Sequence, residues 1–218
     1  RFDRFPDAAP HALGGHSLQH LVEEAEDEQA LRLLAAQAAA HQVEELLLVD
    51  LAHTGLVADL HILFIDLDRF KYVNDALGHA AGDRLLLEIT QLLLKHVRDG
   101  DLLARFGGDE FTLLLYDIRP ADILLAAEHF RELFENYTFL QDGKSFNISC
   151  SIGASVIDNL VQSAEEALSH ADLACNMAKQ QGRNRAKLYN PADSDKAGMA
   201  ADMGWAARVR EMLEHDRF

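Results

Sequence analysis

Apolar positions along this chain switch between helical spacing and short strand-like runs. From Ser17 to about Val49 they recur at helical spacing in an Ala-, Leu- and Glu-rich stretch, with Ser17 as a possible cap and Gly55 as a break. His61 to Ile65 is a short apolar run, which predicts a buried central strand. Asp83 to Val97 places Leu85, Leu86, Ile89, Leu92, Leu93 and Val97 on one helical face. Two strand-like runs, Asp101 to Phe106 and Phe111 to Tyr116, flank Gly107-Gly108 and predict a tight hairpin. Pro120 stands where a helix can begin, and Ile123, Ala127, Phe130 and Phe134 continue that helix along one face. Phe146 to Ser155 alternates and predicts a strand ending near Gly153. Ala164 to Gln181 predicts a helix with a small-residue face and a stop at Gly182. Ala186 to Tyr189 predicts a last edge strand.

The predicted order is helix, strand, helix, strand, strand, helix, strand, helix, strand. That mixture points to an α+β fold, an α/β sandwich in which helices cover a mixed sheet with a hairpin at its centre. Residues 1–55 read as a linker followed by a helical segment, and 56–190 as the main domain. Composition shifts at Asn190-Pro191, so 191–218 reads as a linker helix, with Trp205, Val209, Met212 and Leu213 forming an apolar stripe. No internal repeat is visible.

Charge narrows the function. Across 218 residues the formal net charge is −16, which argues against DNA or RNA as partners, because such binding rests on phosphate neutralisation by Lys and Arg. A single nucleotide needs only a few local cations and a metal. The acidic stretch Glu23 to Glu28 fits a solvated helix face better than a binding site. Cys150 and Cys175 lie in apolar stretches with no disulfide or zinc spacing, which fits a reducing cytoplasm. No apolar run reaches membrane-spanning length and no signal peptide is visible, so the expectation is a cytoplasmic segment without membrane contact. The start, Arg1-Phe2-Asp3, reads as a piece cut from a longer protein.

Two acidic groups carry the candidate chemistry. Asp66 and Asp68 lie two apart at a strand end, so both side chains point to one side. Paired carboxylates repel unless a cation joins them, and Mg²⁺ suits oxygen ligands and substrate phosphates. If the hairpin strand lies alongside, Asp109 completes a metal site. The alternative is a pair of carboxylates capping a turn. Lys71, Lys179 and Arg183 are cations placed to hold a triphosphate; the last two, four apart on one predicted helix face, alternatively face a helix C-terminus. Asn74 and Asp83 bracket the loop Asp75 to Gly82. An amide and a carboxylate together match the Watson–Crick edge of guanine, although each also suits a turn or a helix cap.

These residues resemble the GGDEF family of diguanylate cyclases. The resemblance covers roughly His61 to Tyr189 and rests on ordered matches. They are Phe64-Ile65-Asp66-Leu67-Asp68-Arg69-Phe70-Lys71, Asn74-Asp75, Gly78-His79, Gly82-Asp83, Arg105-Phe106-Gly107-Gly108-Asp109-Glu110-Phe111, Ser151-Ile152-Gly153, Ala178-Lys179 and Gly182-Arg183-Asn184. The resemblance implies a palm-like nucleotide cyclase fold and the condensation of two GTP into cyclic di-GMP. It implies Mg²⁺ (or Mn²⁺) on Asp66, the Leu67 carbonyl and Asp109, with Glu110 assisting catalysis. It implies guanine on Asn74 and Asp83, and phosphates on Lys71, Lys179 and Arg183. Phe70 joins the substrate-binding set, and Gly107 and Gly108 let the nucleotide lie against the hairpin.

Each domain would supply one GTP, so the resemblance also implies a homodimer of such domains. It marks Arg98-Asp99-Gly100-Asp101 as an inhibitory product site, the alternative being a helix C-terminal Arg followed by a turn. It relates the tail from Tyr189 to the linker that precedes EAL phosphodiesterase domains, which makes a regulatory GTP- or cyclic di-GMP-binding domain the rival reading. Two departures stand out. The usual Asp-x-Leu-Thr-Gly-Leu-Pro-Asn-Arg start is missing, and Cys175-Asn176 replaces Met-Tyr, which predicts a looser helix interface.

Overall fold

The computed structural model describes residues 60–158, 161 and 163–192. The expected helix at Ser17–Val49 and the stripe at Met203–Phe218 lie outside these residues. At the centre is β1 (Leu60–Leu67), all eight residues buried, as its continuous apolar run requires. It pairs antiparallel with β3 (Glu110–Leu115) on one side and β6 (Cys150–Ile157) on the other. β2 (Leu102–Gly107) lies outside β3, and β7 (Arg185–Leu188) runs parallel to β6 at the far edge. The five-stranded order is therefore β2-β3-β1-β6-β7, a mixed sheet.

The alternation of β1 divides the core in two. Leu63, Ile65 and Leu67 face α1 (Phe70–Leu77), α2 (His79–Leu94) and α3 (Ile123–Glu135), packing with Val73, Leu85, Ile89, Phe130 and Phe134. Leu60, Ile62 and Phe64 face α4 (Ala164–Gln180), where Ala167, Ala171 and Cys175 are buried. The small face of α4 lets it approach the sheet closely. A Cβ on Gly153 would lie 1.9 Å from the Ala171 carbonyl oxygen and 2.3 Å from the Cys175 nitrogen. Ser163 caps α4 by accepting from the Glu166 amide, and Glu165 and Glu166 favour the same end of the dipole.

Three expectations are corrected. Phe146–Ser155 is not one strand: Lys144–Asn147 form β5, paired with β4 (Thr138–Gln141) in a separate hairpin. The Asp142-Gly143 turn between them has φ of 51° and 73°, the positive pair that such a two-residue turn needs. β6 then runs past Gly153 to Ile157.

The segment Asp75 to Gly82 is not a loop either. α1 has only eight residues, too few for a clear period, and Gly78 (φ 84°) separates it from α2. Asp83 therefore sits inside α2 and does not cap it.

Finally, α2 stops at Leu94, short of Val97. Arg98 lies beyond the helix and is not its C-terminal residue.

Candidate active site

The end of β1 meets the tip of the β2–β3 hairpin. Asp66 stands opposite Glu110 in register, and the Leu67 amide donates to the Asp109 carbonyl at 3.1 Å. Gly108, with φ 42°, makes the tip turn, a conformation that glycine adopts at little cost. Arg105 locks the turn by donating to the Gly108 carbonyl from Nε at 2.9 Å and from Nη2 at 2.7 Å. Burial lowers the Arg105 pKa, and the charges of Asp83 and Asp109 oppose that shift. Arg105 thus lies between the hairpin tip and α2. Space around Gly107 and Gly108 is open: a Cβ on either would meet nothing within 4 Å.

Asp66 is 8% exposed, and Lys179 Nζ from α4 lies 2.6 Å from its Oδ2. Burial pushes the Asp66 carboxyl up to about 6, against the Lys179 hydrogen bond and charge, and Asp109 and Asp68 raise it further. Burial works to lower the Lys179 pKa, but the bond to Asp66 and its charge outweigh burial and raise it. A cation bound there would offset both the burial of Asp66 and the charges of Asp109 and Asp68.

That donor set fits a hard ion. The buried carboxylate of Asp66, the nearby Asp109 carboxylate and main-chain oxygens are all oxygen ligands, as Mg²⁺ prefers. Among the described residues no group of three His, Cys, Asp or Glu side chains is gathered to hold a metal. Two carboxylates and a carbonyl are a thinner set, typical of an ion completed by substrate phosphates.

Asp68 is engaged elsewhere. It accepts from Ser149 Oγ and Ser151 Oγ, each at 2.8 Å, and from the Asn184 amide at 3.0 Å. Of the two carboxylates read as a pair, one therefore faces the lysine and the other ties together three segments of chain.

α1 and α2 place the candidate base-reading residues. Asn74 lies against Gly82, where a Cβ would stand 1.9 Å from its Oδ1 and 3.2 Å from Phe70 Cζ. That Oδ1 is buried with no hydrogen-bond partner, a costly arrangement unless a donor arrives. Phe70 packs on the core, Lys71 is exposed on the first turn of α1, and Asp83 is exposed on α2. Lys179 and Arg183 do not share a helix face. α4 ends at Gln180, and Gly182 (φ 115°) and Arg183 (φ 62°) form the closing turn. Arg183 is exposed there.

Arg98 and Asp101 pair with each other at 2.8 and 3.0 Å. Arg98 also donates to the Tyr116 carbonyl, and the Tyr116 amide donates to Asp101. The Arg98 side chain remains 55% exposed, while that of Asp101 is 4% exposed. At the two departures, Cys175 Sγ donates to the Ser151 carbonyl and Asn176 donates to Asp172 one turn earlier. The Asn176 bond stays within its own helix, while that of Cys175 ties α4 to β6. Burial pushes both cysteine thiols up, and both are free. Sequence pattern alone did not single out the locking role of Arg105 or the serines beneath Asp68. The serine contacts span 81 and 83 residues, and the Arg105 contact, though only three residues long, depends on how the hairpin tip turns.

No helix among the described residues is long and apolar enough to cross a membrane. Comparison with known proteins adds the family. The family model "Diguanylate cyclase, GGDEF domain" matches residues 48–185. The probable diguanylate cyclase DgcE of Escherichia coli is 43% identical over 148 residues, which are 66% of this chain and 13% of that protein. The bifunctional diguanylate cyclase/cyclic di-GMP phosphodiesterase MucR of Pseudomonas aeruginosa is 42% identical over 159 residues, 71% of this chain and 23% of that protein. The chain therefore spans less than a quarter of either relative. The crystal structure of the GGDEF domain of TpbB (YfiN) from Pseudomonas aeruginosa superposes with a TM-score of 0.61 at 35% identity, covering 69% of this chain and 92% of that one. With the motif at a hairpin tip beside the β1 carboxylate, and with this match over more than half its length, the chain belongs to the diguanylate cyclase GGDEF-domain family.

Proposed function

We propose that this chain binds GTP and Mg²⁺ (or Mn²⁺) between β1 and the hairpin, and that two copies condense two GTP into cyclic di-GMP. The observation that carries this reading is the buried Asp66 carboxylate at the end of β1, held by Lys179 and facing the hairpin that carries Asp109. Asp66, the Leu67 carbonyl and Asp109 would hold the metal, which supplies charge neutralisation at the phosphates. Asn74 and Asp83 read guanine, and the orphaned Asn74 Oδ1 gains its missing donor there. Lys71, Lys179 and Arg183 hold phosphates, with Lys179 turning from Asp66 toward them. Gly107 and Gly108 leave room for the nucleotide, and Glu110 adds negative charge close to Lys179.

The 3′-hydroxyl oxygen of one GTP attacks the α-phosphorus of the other, and its proton passes to solvent. A phosphodiester forms, the α–β anhydride breaks and pyrophosphate leaves. The reciprocal step closes the ring. Because each domain brings one nucleotide, the rate depends on a homodimer with its two sites opposed. Excess product binds at the exposed Arg98 guanidinium, whose planar face suits a guanine, and engages Asp101 only if their mutual pair opens. Incubation with GTP and Mg²⁺ at high protein concentration tests the reading by product chromatography. Cyclic di-GMP is expected; its absence at every concentration overturns the reading.

A second reading draws on the bifunctional relative. In it, GTP or cyclic di-GMP occupies the site and tunes an EAL phosphodiesterase in the same polypeptide. It predicts nucleotide-dependent stabilisation without turnover.

A further inference from the structure

The turn that follows α4 holds an unusual run of backbone. Gly182, Arg183 and Asn184 have φ of 115°, 62° and 46°. Glycine adopts positive φ readily and asparagine more readily than most residues, but arginine does so only when its surroundings enforce it. The first half of the turn closes on the helix: the Gly182 amide donates to the Lys179 carbonyl at 3.3 Å and the Arg183 amide to that of Ala178 at 3.1 Å.

The second half is held from outside. The Asn184 amide donates to Asp68 Oδ2 at 3.0 Å. Asn184 Oδ1 accepts from Arg131 Nη1 at 3.2 Å. Both anchors are themselves fixed. Asp68 is bound by Ser149 and Ser151, and its own amide donates to the Ser149 carbonyl at 2.9 Å. The Arg131 side chain is 13% exposed and held by Glu128 at 2.6 Å and Glu135 at 2.8 Å. Glu128 in turn accepts from the Ala186 amide of β7. The residue between these clamped points is Arg183, whose side chain stands exposed.

We infer that Asp68 is a positioning residue: its carboxylate, with Arg131, holds the 183–184 turn so that Arg183 faces the nucleotide's terminal phosphates. This rests on the reading of Arg183 as a phosphate ligand. It separates the two carboxylates at the end of β1 by task, Asp66 for the cation and Asp68 for the turn.

The test is calorimetric titration of the 218-residue chain with α,β-methylene-GTP and with GMP, each in Mg²⁺. Asp68→Ala is expected to weaken the triphosphate analogue about tenfold and GMP by less than about twofold. Asp68→Asn, which keeps an acceptor for the Asn184 amide, recovers part of the loss. Arg183→Ala weakens the analogue similarly, and adding Asp68→Ala to it costs little more, because both changes remove one contact. Arg131→Gln, which leaves Asp68 intact, gives a smaller loss of the same kind and carries the test if Asp68→Ala does not fold. Equal losses for GMP and the analogue, or full additivity with Arg183→Ala, overturn the inference while the reading of Arg183 survives. No effect of Arg183→Ala overturns that reading, and the inference with it.

Discussion

Lys179 Nζ lies 2.6 Å from Asp66 Oδ2, so a helix cation rests on the carboxylate that the family reading gives to a metal. The lysine partly offsets the desolvation of Asp66 but does not cancel it, since the carboxyl still rises to about 6.

A stability prediction follows from the raised pKa. Protonated Asp66 is favoured in the folded protein, so its contribution is fully present below about pH 4 and is lost as pH rises through about 6. The loss is on the order of 3 kcal/mol. Urea unfolding without divalent cations at pH 5 and 7 should show the wild type losing stability relative to Asp66→Asn. Mg²⁺ favours the ionised form, so the stabilisation it brings should grow over the same interval.

Gly82→Ala tests the base pocket. The added methyl meets the end of a side chain, Asn74 Oδ1, which can swing away. Stability should fall by no more than about 1 kcal/mol, while the preference for GTP over ATP drops several-fold. Competition binding measures the second effect.

Gly153→Ala should behave in the opposite way. Its methyl meets the backbone of α4 at Ala171 and Cys175, which cannot move without shifting the helix. A loss of about 3 kcal/mol or more is expected, read from the denaturation midpoint.

Arg105→Lys should leave the fold intact but loosen the hairpin tip. Lysine cannot reproduce the two donations from one planar group to the Gly108 carbonyl. Turnover of GTP should fall about tenfold or more with a denaturation midpoint close to the wild type. A midpoint that collapses with activity would mean that Arg105 serves the fold alone.

Much of this arrangement is legible in the sequence, because local rules govern it. The buried run of β1, the glycines of the hairpin and the Ala-rich face of α4 each state their element directly. α1 was hidden because its eight residues give too short a period, and its boundary with α2 is a single glycine. The β4–β5 hairpin was hidden because its four-residue strands barely alternate, although Asp142-Gly143 marks the turn. The acidic residues were visible as a group, but not their division of labour. Whether Asp66 or Asp68 faces a cation depends on Lys179, Ser149 and Asn184, which are distant in sequence and brought near only by the sheet.

The central claim is that Asp66 and Asp109 converge on a divalent cation beneath a guanosine triphosphate. An anomalous difference map from crystals grown with Mn²⁺ and α,β-methylene-GTP tests it most directly. The account predicts a manganese peak bonded to both carboxylates and to the nucleotide's phosphates, with Lys179 displaced from Asp66. A map with nucleotide bound, Lys179 still on Asp66 and no metal between the two strands would contradict it.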